Sequence, residues 1–183
     1  MPTIITHAIV GAAIARVGPP SVSPARLAFV LAVLSVFPDV DVIGFQFGVP
    51  YSHWLGHRGL THSLLFALLV GAAVTRFEFR PLARHSRDEW HLFALCVVAT
   101  ASHGLLDGLT DGGLGIAYFL PFSSARYFFP VQPIAVSPIG LQNFLDGPAL
   151  AVLASEVFYV WIPLAVALVM VRLWSRANDR LRS

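Results

Sequence analysis

The sequence predicts an all-α, polytopic transmembrane helix bundle of about five apolar helices forming a single domain, and three observations carry that expectation. Hydrophobic residues make up 56% of the 183-residue chain, charged residues only 12%, and mean hydropathy is +0.72, whereas an ordinary soluble domain is about a quarter charged. The apolar residues fall in contiguous blocks, not in the one-sided stripes of a soluble core. The positive charges are all arginine and all fall between or after those blocks. A net charge of +2 gives no indication of nucleic-acid binding, and a lone cysteine, Cys96, excludes an intrachain disulfide and reads as a small buried apolar residue. The opening residues MPTIITHAIVGAAIA lack a basic leader and a cleavage motif, so they are expected to belong to the mature bundle.

The blocks run over 3–15, 27–36, 61–75, 91–106 and 148–171. The first two are shorter than the ~17 residues a span needs, so they are expected either to form a buried hairpin or to lengthen through flanking neutral residues. Gly18-Pro19-Pro20 separates them, and Pro38 closes the second, pushing Phe37 out of the helical region and leaving Asp39 and Asp41 on an irregular segment. Thr61 is the expected N-cap of the third helix. The third and fourth blocks lie near the lower length limit, and the fifth is long enough alone. Between the last two lies a proline- and aromatic-rich loop, 112–147, carrying Tyr118, Phe119, Phe122, Tyr127, Phe128 and Phe129, which reads as a lid or lipid-facing access route or, equally, as an interfacial packing loop. Residues 173–183 form a basic tail.

By the positive-inside rule, Arg16 and Arg26, the group Arg76, Arg80, Arg84 and Arg87, and the group Arg172, Arg176, Arg180 and Arg182 are expected in the cytoplasm, which puts the N-terminus outside and the C-terminus inside. The same threading carries Asp39, Asp41, His53, His57, His62, His103, Asp107 and Asp111 to the opposite, extracytoplasmic ends of their helices, with His7 in the outer half of the first. Separate stretches of chain thus deliver metal-ligating residue types to one face, although nothing in the arginine distribution requires it.

His103-Gly-Leu-Leu-Asp107 stacks an imidazole and a carboxylate at i and i+4 on one helix face, a spacing that suits two ligands of one ion or a hydrogen-bonded pair at a helix end. Asp111 repeats the interval but sits among Gly108, Gly112 and Gly113, where it reads as an outer support or a turn cap. Asp39 and Asp41 stand against an apolar block, where a compensating cation or partner is expected. In His57-Arg58-Gly59-Leu60-Thr61-His62, His62 opens an apolar helix and His57 and Thr61 read as ligand or supporting donors. Arg58 reads as a clamp for a phosphate or carboxylate, or as an interfacial anchor. His53 reads as a bystander, and His85 and His91 as solvated surface.

Thr6-His7, Phe37-Pro38-Asp39-Val40-Asp41, His57-Arg58-Gly59-Leu60-Thr61-His62-Ser63 and His103-Gly-Leu-Leu-Asp107, together with Leu120-Pro121-Phe122-Ser123 and Arg126-Tyr127-Phe128-Phe129-Pro130, resemble the YdjM-like family of membrane-bound metal-dependent hydrolases. The resemblance implies an inner-membrane helical protein with hydrolase activity. Similarity to zinc-dependent phospholipase C is more distant, resting on the HxxxD pair and the order of His and Asp; the chain lacks that enzyme's N-terminal tryptophan ligand.

Neutral imidazoles with carboxylates suit one or two divalent ions, zinc foremost, with manganese and iron as alternatives. His7, Asp39, His62, His103 and Asp107 are the expected ligands, and a metal-activated water the expected nucleophile. Asp41 is expected to bridge a second ion or accept the water's proton, and Arg58, with Arg126, to contact the substrate. A phosphoester or lipid-linked substrate drawn from the bilayer is expected, in an oligomeric state left open. A non-catalytic metal-binding scaffold is the alternative; a metal-ion transporter fits less well, because 64–73 and 92–99 offer almost no polar residues below the cluster.

Overall fold

A computed structural model describes residues 1–79 and 87–182; the expectations for Arg80, Arg84 and His85 lie outside the described residues. Each of the five apolar blocks is helical. The first helix, α1 (Ile4–Ile14), is capped by the Thr3 hydroxyl and runs into a 3-10 turn, Ala15–Val17. Helix α2 (Pro24–Val36) starts with proline at its first position, where the missing N–H costs nothing. Helices α3 (Leu64–Glu78) and α4 (Arg87–Gly108) follow, the latter with Asp88 and Glu89 in its first turn, where the helix dipole favours acids. A short α5 (Leu141–Leu145) precedes α6 (Ala149–Glu156), which continues through a π turn (Val157–Trp161) into α7 (Ile162–Arg182).

Two local expectations are corrected. Ser63, not Thr61, caps α3, its hydroxyl accepting from the Phe66 N–H at 3.1 Å. Pro38 does not break the second helix: Phe37 keeps helical angles (φ −56°, ψ −34°), and the chain tightens into a 3-10 helix, Phe37–Phe47, until Gly48 stops it at φ 73°. Asp39 and Asp41 therefore ride on a rigid helical extension. Proline tolerates this because its φ is already helical and it loses only one donor. In a 3-10 ladder that donor would have gone to the Ser35 carbonyl three residues back; Ser35 instead accepts from His103 Nδ1 at 2.8 Å.

With that extension, three of the described helical stretches are long and apolar enough to cross a membrane: Pro24–Phe47, Arg87–Gly108 and Ala149–Trp174. The first helix with its 3-10 turn, Ile4–Val17, is apolar but shorter. The core between α1, α2, α3 and α4 is built from Leu27, Leu31, Leu34, Leu92, Leu95, Ala99 and the buried Cys96. Small residues let the backbones approach: a Cβ on Gly11 would lie 2.3 Å from the Leu31 carbonyl oxygen, and one on Gly71 2.6 Å from Val97 Cγ2. At one end of the bundle Arg26 Nε bonds Glu78 at 3.0 Å, joining the start of α2 to the end of α3; both side chains are half exposed, so the pair fixes geometry more than it stabilises. The last long helix shows its apolar residues outward, Leu150 at 86% and Phe158 at 69% exposure, as a lipid-facing surface requires.

Opposite the Arg26–Glu78 end, the loop between α4 and α5 folds back over the bundle. Ile116, Ala117, Leu120 and Ile134 are buried, while Phe122 at the tip is 85% exposed. Tyr118 O accepts from Leu64 N at 2.9 Å and Arg58 O from Ala117 N at 3.1 Å, so the loop is pinned to the residues ahead of α3. It is a packed cap with an exposed aromatic tip.

Candidate metal centre

The cap, the first turn of α1, the 3-10 extension of α2, the segment ahead of α3 and the last turns of α4 enclose one buried polar cluster. His7 is the fourth residue of α1; Asp39 and Asp41 come from the extension, His57 and His62 from the segment 57–62, and His103 and Asp107 from α4. All are buried, His7, His103 and Asp107 completely. Two triads have donor atoms that all lie within 4.8 Å of one another, His7–His103–Asp107 and Asp39–His57–His62. They are contiguous: His103 Nε2 is 3.1 Å from Asp39 Oδ1, and His62 Nε2 is 3.7 Å from Asp107 Oδ2 and 3.8 Å from Asp39 Oδ1. The His7 and His103 rings stack at 3.8 Å, and the His62 ring meets His103 edge-on at 4.7 Å.

The hydrogen bonds fix which way each ring faces. Ser35 O can only accept, so His103 carries a proton on Nδ1, and its Nε2 faces the cluster 3.1 Å from Asp39 Oδ1, another acceptor. Thr61 donates to Asp41 Oδ2 at 2.6 Å, so its oxygen and Asp41 (3.2 Å) are acceptors for His62 Nδ1–H, which leaves His62 Nε2 as a lone pair aimed inward. Among the described residues, His7 Nδ1 and Nε2, His62 Nε2, Asp39 Oδ2 and Asp107 Oδ1 are buried and make no well-formed hydrogen bond, His7 Nε2 and Asp107 Oδ1 facing each other at 3.4 Å. Buried polar atoms are nearly always satisfied, and a set of lone pairs facing one another is repulsive until a proton or cation lies between them. The residue types and the convergence of orphaned atoms fit a divalent ion, with His7, Asp39, His62, His103 and Asp107 able to hold it.

Asp41, His57 and Arg58 lie around this set. Both Asp41 oxygens are engaged, Oδ1 by His57 Nδ1 at 2.8 Å and Oδ2 by Thr61 Oγ1 and the Arg58 N–H at 3.2 Å. In this arrangement Asp41 holds His57 and lies beside His62 Nδ1 at 3.2 Å. Arg58 is fully buried, with a left-handed φ of 63°, a strained choice for a non-glycine residue. Its guanidinium donates to Asp107 Oδ2 (3.1 Å), Thr110 Oγ1 (3.0 Å) and the Gly112 and Leu114 carbonyls (2.8 Å each). So engaged, it is a strut between Asp107 and the cap, not a free substrate clamp. Arg126 likewise spends its guanidinium on the carbonyls of Tyr51, His53, His57, Arg58 and Gly115 at 3.2–3.3 Å. Asp111 lies outside the cluster, exposed and accepting from Val136 N at 2.8 Å. His53 and His91 are exposed. Outside the spanning helices, burial raises the Tyr51 phenol and pushes Tyr118 up to about 12, so both stay protonated and can donate, as Tyr118 does to Gly104 O at 2.9 Å.

One residue of this architecture escapes a reading by motif. Glu156, fully buried at the end of α6, accepts from the Thr3 N–H and from the Thr3 and Thr6 hydroxyls, both at 2.6 Å. Trp161 Nε1 donates to the same Thr6 hydroxyl at 2.7 Å. The π turn, with its i→i+5 ladder, brings residues five apart onto one face and so aims Glu156 and Trp161 together at α1. The pair fixes the turn that carries His7. Its available signal was a lone acid inside the last apolar block.

A membrane-embedded helical bundle that seals His103 together with two histidines and two aspartates carrying unpaired polar atoms under a folded cap defines the class: a polytopic membrane protein with a buried His–Asp cluster. The chain belongs to the YdjM inner membrane protein family, whose model matches residues 1–178. It is 40% identical over 176 residues to the inner membrane protein YbcI of Escherichia coli K12, covering 96% of this chain and 99% of that relative. No solved structure matches. These similarities place the protein in the inner membrane.

Proposed function

We propose that the protein is a membrane-bound, metal-dependent hydrolase acting on a phosphoester or ester of an amphipathic molecule, with its centre on the extracytoplasmic side. The observation that carries the reading is the set of orphaned buried atoms on His7, Asp39, His62 and Asp107, joined by His103 Nε2 at 3.1 Å from Asp39 Oδ1. Zinc suits this donor set best, with manganese and iron as alternatives, and the two contiguous triads leave room for one ion or two. When bound, such an ion supplies Lewis acidity and makes water a usable nucleophile near neutral pH.

The chain's own groups do the rest. Asp41 holds His62 through Nδ1, and Ser35 O holds His103, so both Nε2 atoms face inward without reorganisation. Arg58 offsets part of the charge on Asp107. Asp39 turns Oδ1 to the imidazoles and keeps Oδ2 unpartnered, so Oδ2 takes a proton from the attacking water and returns it to the leaving oxygen. Water thereby adds across the cleaved bond, one fragment leaving as an acid and the other as an alcohol. The arginines grouped at 76–87 and 172–182 support a cytoplasmic placement of that side and an extracytoplasmic centre.

A non-catalytic metal-binding scaffold is the second reading, favoured by the complete burial of His7, His103 and Asp107 and the full engagement of Arg58. A panel of phosphodiesters, phosphomonoesters and carboxylic esters, soluble and lipid-linked, separates the two. Turnover that disappears on metal removal, returns on restoration and is abolished in Asp39→Asn is expected of the hydrolase. Metal-loaded protein inert across the whole panel would leave the scaffold.

A further inference from the structure

The cluster is sealed on most sides, but Asp39 also reaches a groove on the outside of the bundle. Between α1 and α2 lies a cavity of about 470 Å³ whose walls include Ile4, Ala8, Phe29, Val33 and Phe37, and whose lining holds a single charged residue, Asp39. The groove runs along the first spanning stretch, Pro24–Phe47, and its rim is exposed: Phe29 at 71%, Ile4 at 56%, Val33 at 48%. Asp39 is 93% buried (7% exposed) and its Oδ2 has no partner.

We infer that this groove seats one acyl chain of a bilayer lipid, so that the centre's substrate enters sideways from the membrane with its tail along α1 and α2 and its polar linkage at Asp39. The inference rests on the hydrolase reading only for the word substrate. Three physical points support the occupant. What surrounds a spanning helix is hydrocarbon, so an acyl chain is what an apolar groove on its outer face meets. Water gains nothing there, because the walls offer it no hydrogen-bonding partners. Lipid tails are as apolar as the walls, so the groove itself adds little affinity and selection falls to the polar end, where Asp39 presents an unpaired carboxylate oxygen. A fully water-soluble substrate would leave the apolar walls unused.

The test uses the full chain reconstituted in vesicles of phosphatidylethanolamine and phosphatidylglycerol containing a phosphatidylethanolamine with a photoactivatable diazirine on its acyl chain. Adducts are mapped by mass spectrometry, and metal content is measured alongside. Adducts are expected to concentrate on 4–8 and 29–40, to fall several-fold in Val33→Trp and in Ala8→Phe, which narrow the groove from opposite walls, and to be unchanged in Val166→Trp on the exposed face of α7. Adducts spread evenly over all exposed faces, with no response to either groove variant, would overturn the inference, as would protein–protein cross-links at the groove in place of lipid adducts, which would mark a second copy as the occupant. The two readings fail separately. Groove-specific labelling in protein without turnover on any substrate removes the hydrolase and keeps the groove; equal turnover of short soluble and long-chain esters, unaffected by Val33→Trp, removes the groove and keeps the hydrolase.

Discussion

Glu156→Ala tests whether the last long helix holds α1, and with it His7, in place. The wild-type carboxylate is fully buried and serves the Thr3 N–H and the Thr3 and Thr6 hydroxyls. Hydrogen bonds to a charged group contribute about 1.5–3 kcal/mol each, and a buried donor left unpaired costs about 1–3 kcal/mol. Thr3 is only partly buried and its hydroxyl can turn to another acceptor, so the three losses do not add in full. The expected destabilisation is therefore about 3–5 kcal/mol, the range for breaking a buried charged network. Glu156→Gln can keep its carbonyl oxygen against the two hydroxyls and lose only the Thr3 N–H, for a cost of about 1–2 kcal/mol. Equilibrium unfolding in mixed dodecylmaltoside–SDS micelles, followed by tryptophan fluorescence, measures both variants; Trp161, bonded to Thr6, reports locally. An alanine variant within about 1 kcal/mol of wild type would refute the argument that this network anchors α1.

Four further outcomes are expected. Asp41→Asn should leave the fold intact but weaken metal affinity about 10–100-fold, because it removes the carboxylate behind His62; chelator competition measures this, and unchanged affinity would dismiss the supporting role. Arg58→Lys should destabilise the protein by about 3–5 kcal/mol, since a point charge cannot serve Asp107, Thr110 and two carbonyls at once; a stability loss below 1 kcal/mol would contradict the strut. Gly11→Val should cost at least ~1–3 kcal/mol by forcing α1 from the Leu31 backbone, and wild-type stability in the same unfolding assay would argue against that close approach. Metal affinity should hold through neutral pH and fall only in solution more acid than the ordinary imidazole value of about 6.5, because burial lowers the His62 imidazole and delays the point at which protons compete with the ion for it; affinity already lost between pH ~8 and ~6.5 would contradict ligation by this buried imidazole.

The sequence carried the bundle and most of the cluster because both rest on patterns short in range or coarse in chemistry. Contiguous apolar blocks give helices, and the placement of His and Asp at like ends of antiparallel helices brings them together whatever the packing details. What it withheld depends on individual hydrogen bonds. Proline before Asp39 signals a break, yet the donor that Pro38 withholds from the Ser35 carbonyl is replaced across the bundle by His103, 68 residues from Ser35. Thr61 and Ser63 are equally good caps by residue type; Thr61 is taken by Asp41, leaving Ser63 for α3. Arg58 and Arg126 have the chemistry of substrate clamps, but backbone carbonyls of the folded cap claim their donors, and no periodicity announces an irregular loop's carbonyls. Glu156 belonged to no motif, and only the π turn shows why an acid in an apolar helix faces inward.

A cation shared by His7, Asp39, His62, His103 and Asp107 underlies the proposed function, and elemental analysis of the purified, detergent-solubilised protein tests for it directly. One or two equivalents of zinc, manganese or iron per chain are expected, lost in His62→Ala and Asp107→Ala variants that keep wild-type helical circular dichroism. Folded wild-type protein that holds none of these metals and takes none up when they are supplied, or variants that retain the full complement, would contradict it.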